Sequence, residues 1–204
     1  MKQLLPSIWQ WSWFSEEKQL DFNGLFLTVG EHTILIDPPP MTAEARSLIR
    51  RNGPVDYIIV TNRDHAREAA ACQEEFACRL YVPRADAPQM DLKPTHTYTD
   101  GELLPGGIWV IQLKDQKSPG ESALFIPPGQ WHGKGVLIVG DAVIGQPAGS
   151  VRLLPAEKYA DSAKAKEGLR RLLKYEFDSL LVGDGTSILT GGKLAVVRLL
   201  DGAV

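Results

Sequence analysis

The chain has 204 residues, 44% hydrophobic and 23% charged, which is ordinary for a globular protein and long enough to bury a sizeable core. Its 25 acidic and 22 basic residues leave a net charge of -3 and a pI near 5.8, so nucleic acid and anionic membranes are not expected as partners. No apolar run reaches the roughly 20 residues of a membrane-spanning helix; the opening "MKQLLPSIWQWSWFSEE" is broken by Pro6 and lacks a small-residue cleavage site, so a cytoplasmic protein is expected.

That opening stretch reads as a first strand, with Trp9, Trp11 and Trp13 at a spacing of two on a face turned to the core or to a sheet-to-sheet interface. If that face were exposed, it would favour a homodimer. In "LFLTVGEHTILI" two strands, Leu25 to Val29 and Thr33 to Ile36, flank a tight turn and form a hairpin. "MTAEARSLIRRNG" carries a Thr42 N-cap, Glu44 in the first turn and a closing Asn-Gly, the start and stop signals of a helix. "VDYIIVT" suits a buried strand, and the helix "AREAAACQEEFA" followed by the strand "RLYVP" completes a βαβαβ alternation. Cys72 and Cys78, six apart on that helical stretch, point to different faces and are expected to be buried thiols rather than a disulfide.

From Thr95 the character changes. Gly- and Pro-punctuated strands in "HTYTDGELLPGGIWVIQLKD" and "SALFIPPGQWHGKGVLIVGDAVI" read as a meander that opens the second half, with His132 exposed in its Gly-rich turn. "AEKYADSAKAKEGLRRLLKYE" follows as a helix with Leu169, Leu172 and Leu173 at helical spacing, then a short buried strand "SLLVGDG" and a closing helix "GGKLAVVRLL". No Ser- or Pro-rich linker separates the halves, so a single domain over residues 1–204 is expected.

Three strands stop on polar residues: "IIVTNRDH", "VLIVGDAVIG" and "SLLVGDGTS". Ligand-binding groups in open α/β sheets sit on loops beyond strand carboxyl ends, which makes Asn62, Asp64, His65, Asp141 and Asp184 candidates; the plainer reading of each aspartate alone is a helix cap or Asx-turn. His65 is read as a helix-start histidine bonded to backbone, with a role as ligand or general base as the alternative. No Gly-x-Ser-x-Gly elbow, phosphate loop or strand-linked Gly-x-Gly-x-x-Gly is present.

The order of "NGLFLTVGEHTILIDPPP", "DYIIVTNRDH", "QKSPGESALFIP", "GVLIVGDAVIG" and "LLVGDG" resembles the metallo-β-lactamase superfamily over nearly the whole chain. The resemblance implies an α/β (α+β) fold, a four-layer αββα sandwich of two mixed β-sheets flanked by helices, with a site at one end between the sheets. The family's first metal motif, Thr-His-x-His-x-Asp-His, falls on Thr61 to Arg67; its His-x-Pro-Gly falls on Lys117 to Gly120; its Gly-Asp falls on Gly140 and Asp141; its Gly-His-Gly falls on Gly183 to Gly185. Of the usual ligands only the bridging aspartate, Asp141, is kept. Asn62, Asp64, Lys117 and Asp184 replace histidines, and Ala66 and Arg67 replace the remaining Asp and His.

The chain's four histidines, His32, His65, His96 and His132, cannot assemble a conventional His-rich dinuclear zinc site. The cofactor expectation is therefore none or one divalent cation, held by oxygens of Asp64, Asp141 and Asp184. On that reading Asp64 and Asp141 are the catalytic candidates of a hydrolase acting on an ester, thioester or similar bond, and Asn62, Arg63, His65, Lys117 and Asp184 complete a pocket for a small-molecule ligand. On the alternative, Lys117 and Arg67 neutralise the carboxylates, and the protein is a non-catalytic binding or scaffold protein with a salt-bridged pocket.

Overall fold

The computed structural model describes residues 1–129 and 133–202; His132 lies outside the described residues. Pro6 and Ser7 split the N-terminal stretch into two strands rather than one. Ser7 sits at φ 62°, in the left-handed region, and folds β1 (Lys2–Leu5) back as the antiparallel partner of β2 (Ile8–Ser15). The expected hairpin is β3 (Leu20–Val29) and β4 (His32–Ile36). Two crossovers then place parallel strands beside β4. Helix α1 (Ala43–Arg51), capped by the Thr42 side chain, leads to β5 (Tyr57–Ile59), and α2 (Ala69–Phe76) leads to β6 (Arg79–Pro83).

The stretch after Thr95 does not open the second half. β7 (His96–Tyr98) pairs in parallel with β6 and closes a seven-stranded sheet in the order β1 to β7, anchored by the buried Tyr98 hydroxyl, which donates to the Val60 carbonyl at 2.6 Å. The second sheet holds β8 (Leu103–Leu104), β9 (Ile108–Gln112), β10 (Ser122–Ile126), β11 (Val136–Val139) and β12 (Ser179–Val182) in the order β12-β11-β10-β9-β8. Its β11–β12 pair is parallel and the others are antiparallel.

Side-chain alternation along the strands builds three apolar layers. Leu25, Leu27, Ile34 and Ile59 meet Val110, Leu124, Ile138 and Leu181 between the sheets. Phe26, Leu35, Ile58 and Leu80 pack outward against Ala45, Ile49 and Cys72 of α1 and α2. On the far side Ile111, Leu137 and Leu180 pack against Leu169, Leu172, Val196 and Leu200. The result is the four-layer αββα sandwich. Strands buried on both faces explain the unbroken apolar runs "TILI", "YIIV", "VLIV" and "SLLV".

The tryptophan face turns to the helix side rather than between the sheets: Trp11 is buried with Phe26 and Leu35, Trp9 packs at its margin, and Trp13 is 43% exposed. Both cysteines are free thiols, Cys72 buried and Cys78 half-buried. The helix expected around Leu169 divides into α3 (Ser162–Gly168) and a 3-10 segment, Leu169–Lys174. Gly168 lies against the Lys114 carbonyl, and the tighter winding eclipses Leu169 and Leu172 into the core. The chain ends on α4 (Gly192–Asp201). Among the described residues no helix is long and apolar enough to cross a membrane.

Candidate functional site

The carboxyl ends of β4, β5, β11 and β12 converge at one end of the sandwich, joined across the sheets by backbone bonds from Asn23 N to Gly183 O at 2.7 Å and from Ser122 N to Thr61 O at 3.1 Å. Asp37, the residue after β4, stands at φ 48° and is buried. Its carboxylate accepts from Thr61 N at 2.7 Å, Thr61 Oγ1 at 2.6 Å and His65 Nδ1 at 2.9 Å. After β5 the chain makes one 3-10 turn, Arg63–His65, capped by Asn62, whose Oδ1 accepts from the amides of Asp64 and His65 at 2.8 and 3.1 Å. Three residues per turn set neighbouring side chains about 120° apart. Asp64 therefore faces the cleft mouth, His65 turns inward, and Arg63 leaves the site to bond Gln89. His65 is thus not the backbone-bonded histidine expected from its position, because the turn carries its ring onto Asp37.

Two glycines make this packing feasible. A Cβ at Gly183 would collide with the His65 ring, and one at Gly140 with the Thr61 hydroxyl, so each glycine before a site aspartate admits the loop from β5. Arg67 has a left-handed backbone, φ 36°, which interrupts the expected helix and turns its side chain back over the cleft. Its guanidinium covers the Phe22 ring, 4.5 Å from the centroid, and bonds Asp184 Oδ1.

The charges interlock. Lys117 Nζ donates to Asp141 Oδ2 at 2.8 Å and lies 3.2 Å from Asp64 Oδ2. His65 Nε2 lies 3.5 Å from Asp141 Oδ1 and 3.9 Å from Asp184 Oδ2. Burial and the Arg67 guanidinium both oppose a charge on His65, but the Asp37 carboxylate and the hydrogen bonds to Asp141 and Asp37 outweigh them and raise its pKa to about 10. Arg67 Nη2 approaches His65 Nε2 at 3.4 Å, and both side chains face the Asp184 carboxylate. Burial opposes ionisation of Asp141, yet the hydrogen bond and charge of His65, then Lys117, hold it well below the usual carboxylate range. The Lys117 ammonium is held above its ordinary value against burial by Asp141 and Asp64. Beneath them Glu121 accepts from Asn62 Nδ2 at 2.7 Å and Ala142 N at 3.1 Å, and burial followed by the Asp141 charge pushes its carboxyl well above the usual range.

Above Glu121 and Asp37 the interlocked charges open onto a cleft of about 620 Å³. Of the residues singled out from sequence, Asp64, His65, Lys117, Asp141 and Asp184 line it, together with Arg67. Asn62 and Arg63 do not, because capping and the outward turn commit them elsewhere. Asp141, Asp184 and His65 offer ligand atoms all within 4.8 Å of one another, a group that could hold an ion; Asp64 lies outside it, bonded to Lys117 at the mouth. Sequence reasoning missed Asp37, although "TILIDPPP" carries the same stop on a polar residue after an apolar run. It also missed Glu121 and Asp86. The latter is buried, accepts from Arg63 N and Gly120 N at 2.8 Å and from Ser118, and ties the loop bearing Lys117 to the 3-10 turn.

The sequence model of the metallo-beta-lactamase superfamily matches residues 1–202. Solved structures similar in fold include DIM-1 metallo-beta-lactamase, 15% identical with a TM-score of 0.73 over 100% of this chain and 97% of that one. A metallo-beta-lactamase from Pontibacter korlensis is 15% identical, TM-score 0.73, over 97% and 96% of the two chains. VMB-1 is 14% identical, TM-score 0.75, over 99% and 96%. No curated protein sequence matches the chain.

Proposed function

The chain belongs to the metallo-β-lactamase superfamily, and from that membership we propose that it is a ligand-binding member of the fold in which side-chain cations stand in place of a metal centre. One observation carries this reading: the Lys117 ammonium bridges Asp141 and Asp64, at 2.8 and 3.2 Å, from a position where the family's motif has a histidine ligand. The donor set does not fit a dinuclear zinc centre. Zinc favours imidazole and thiolate, and among the described residues lining the cleft His65 is the one imidazole, with no cysteine beside it. Around His65 the remaining donors are carboxylates already matched by Lys117 and Arg67, so a second positive charge would meet cations rather than replace water.

A second reading is favoured by the grouping of His65, Asp141 and Asp184. With Lys117 displaced and His65 neutral, those three would hold one oxygen-preferring ion, and the protein would be a hydrolase of an ester or thioester-type bond. Elemental analysis of protein purified without chelator, with thermal shifts on adding zinc, manganese, magnesium or EDTA, decides between them. The binding reading expects substoichiometric metal and no shift. Stoichiometric metal, with stabilisation that EDTA removes, establishes the second reading, since a ligand of the folded state must stabilise it.

A further inference from the structure

We infer that the cleft receives a small amphiphilic anion: a carboxylate or phosphate head held by Arg152 and Lys158, joined to an apolar body lying along Leu20, Phe22 and Leu154. This rests on the metal-independent reading of the cleft and narrows it to a class of ligand.

The cavity, about 620 Å³, has the size of a small-molecule pocket, and its floor and walls differ in kind. On the floor every cation has a carboxylate partner: Lys117 with Asp141, Arg67 with Asp184, His65 with Asp37. These pairs hold little attraction in reserve. The outer wall is different. Among the described residues no carboxylate lies within 4 Å of Arg152 or Lys158. Arg152 gives Nη2 to Gln146 Oε1 at 2.7 Å and Nη1 to the Leu153 carbonyl at 3.4 Å, which leaves most of a five-donor fork available. Lys18, on the facing turn, is already matched by Glu17 at 2.6 Å, and Lys158 acts on that carboxylate only at longer range.

The wall is also held in place. Ile144 and Arg152 exchange backbone hydrogen bonds of 2.8 and 2.9 Å, which fixes the arginine beside the Asp141 segment, and the half-buried Leu154 amide donates to the buried Tyr159 hydroxyl at 3.1 Å. A preorganised guanidinium loses little freedom on binding. The same cleft is lined by the half-buried apolar side chains of Leu20, Phe22 and Leu154, with the Arg67 guanidinium stacked on the Phe22 ring. An inorganic ion would leave those surfaces wet, and a neutral molecule would leave the two cations without a close counter-charge. A cationic ligand would meet the unmatched charge. An anion with an apolar body satisfies both parts of the wall.

The test uses the full chain, treated with EDTA, and calorimetric titration with phenylbutyrate, phenylbutyramide, phenyl phosphate and acetate. Phenylbutyrate or phenyl phosphate should bind saturably, the stronger of the two naming the head group, while the amide and acetate bind at least about ten-fold more weakly. Arg152→Gln and Lys158→Gln should each weaken the anion by about ten-fold while leaving the melting temperature of the unliganded protein unchanged. Equal binding of acid and amide, binding of none of the four, or indifference to both substitutions overturns the ligand class. Anion binding that appears only after zinc or manganese is added keeps the ligand class and refutes the metal-independent reading instead.

Discussion

Replacing Lys117 by methionine keeps the length of the side chain and removes the charge that lies 2.8 Å from Asp141 and 3.2 Å from Asp64. With an effective dielectric near 20 the gross attractions are about 6 and about 5 kcal/mol, but neither is the net contribution. Asp64 is 39% exposed, so solvent screening leaves that contact at about 1 kcal/mol or less. Asp141 is nearly buried, and taking away one partner of a buried pair costs about 3 to 5 kcal/mol because the other charge is left behind. Here His65 still holds Asp141, so the expected loss is smaller, about 2 to 3 kcal/mol. For a chain of this size that is a fall of about 5 to 10 °C in melting temperature. The assay is urea unfolding of the wild type, Lys117→Met, Asp141→Asn and the double variant. The double variant should be more stable than the sum of the singles by at least about 1 kcal/mol, since removing both charges leaves neither stranded. A Lys117→Met protein within about 0.5 kcal/mol of wild type, or strict additivity, would refute the ion-pair reasoning.

The remaining expectations concern the same network and the core. His65, raised from 6.5 to about 10, contributes stability that is fully present below pH 6.5 and lost as pH rises through 10. Asp141 shifts the opposite way, so its contribution is present above its ordinary pKa and is lost only as pH falls through its depressed value. Urea unfolding from pH 5 to 10 should show the alkaline decline, and His65→Gln should flatten it; a wild-type profile flat from pH 6.5 to 10 sinks the assignment. Asp37→Asn removes the charge that orients His65 and should bring the imidazole pKa down towards neutrality, read from its proton NMR titration. Gly183→Ala drives a methyl into the His65 ring and should cost about 1 to 3 kcal/mol while moving that ring's NMR signals. Leu172→Ala, in the 3-10 segment over the second sheet, should cost about 2 to 4 kcal/mol in urea unfolding, against almost nothing if that segment is loosely packed.

Local order was legible where local physics decides it. Thr42 and Asn52 mark the ends of α1 by capping chemistry, and the apolar runs around Ile58, Ile138 and Leu181 mark strands that no other element could bury so fully. The spacing of "TNRDHAR", "KSPG" and the two Gly-Asp pairs placed the cleft, because those loops are the carboxyl ends of buried strands or face them across the sheets. Other features depend on contacts between residues far apart in the chain. Whether His96–Tyr98 extends the first sheet or opens the second is settled by pairing with β6, and the three tryptophans divide between core and solvent according to what the neighbouring layer covers. Side-chain direction in the site was beyond the sequence for the same reason. One 3-10 turn sends Asp64 to Lys117 and His65 to Asp37, 28 residues away, and a left-handed Arg67 returns its guanidinium to Asp184, 117 residues away. The residue types alone thus place a dense set of charges at one end of the sandwich. Their pairing arises only when the two sheets close, because electrostatic energy depends on separation and burial rather than on order in the chain.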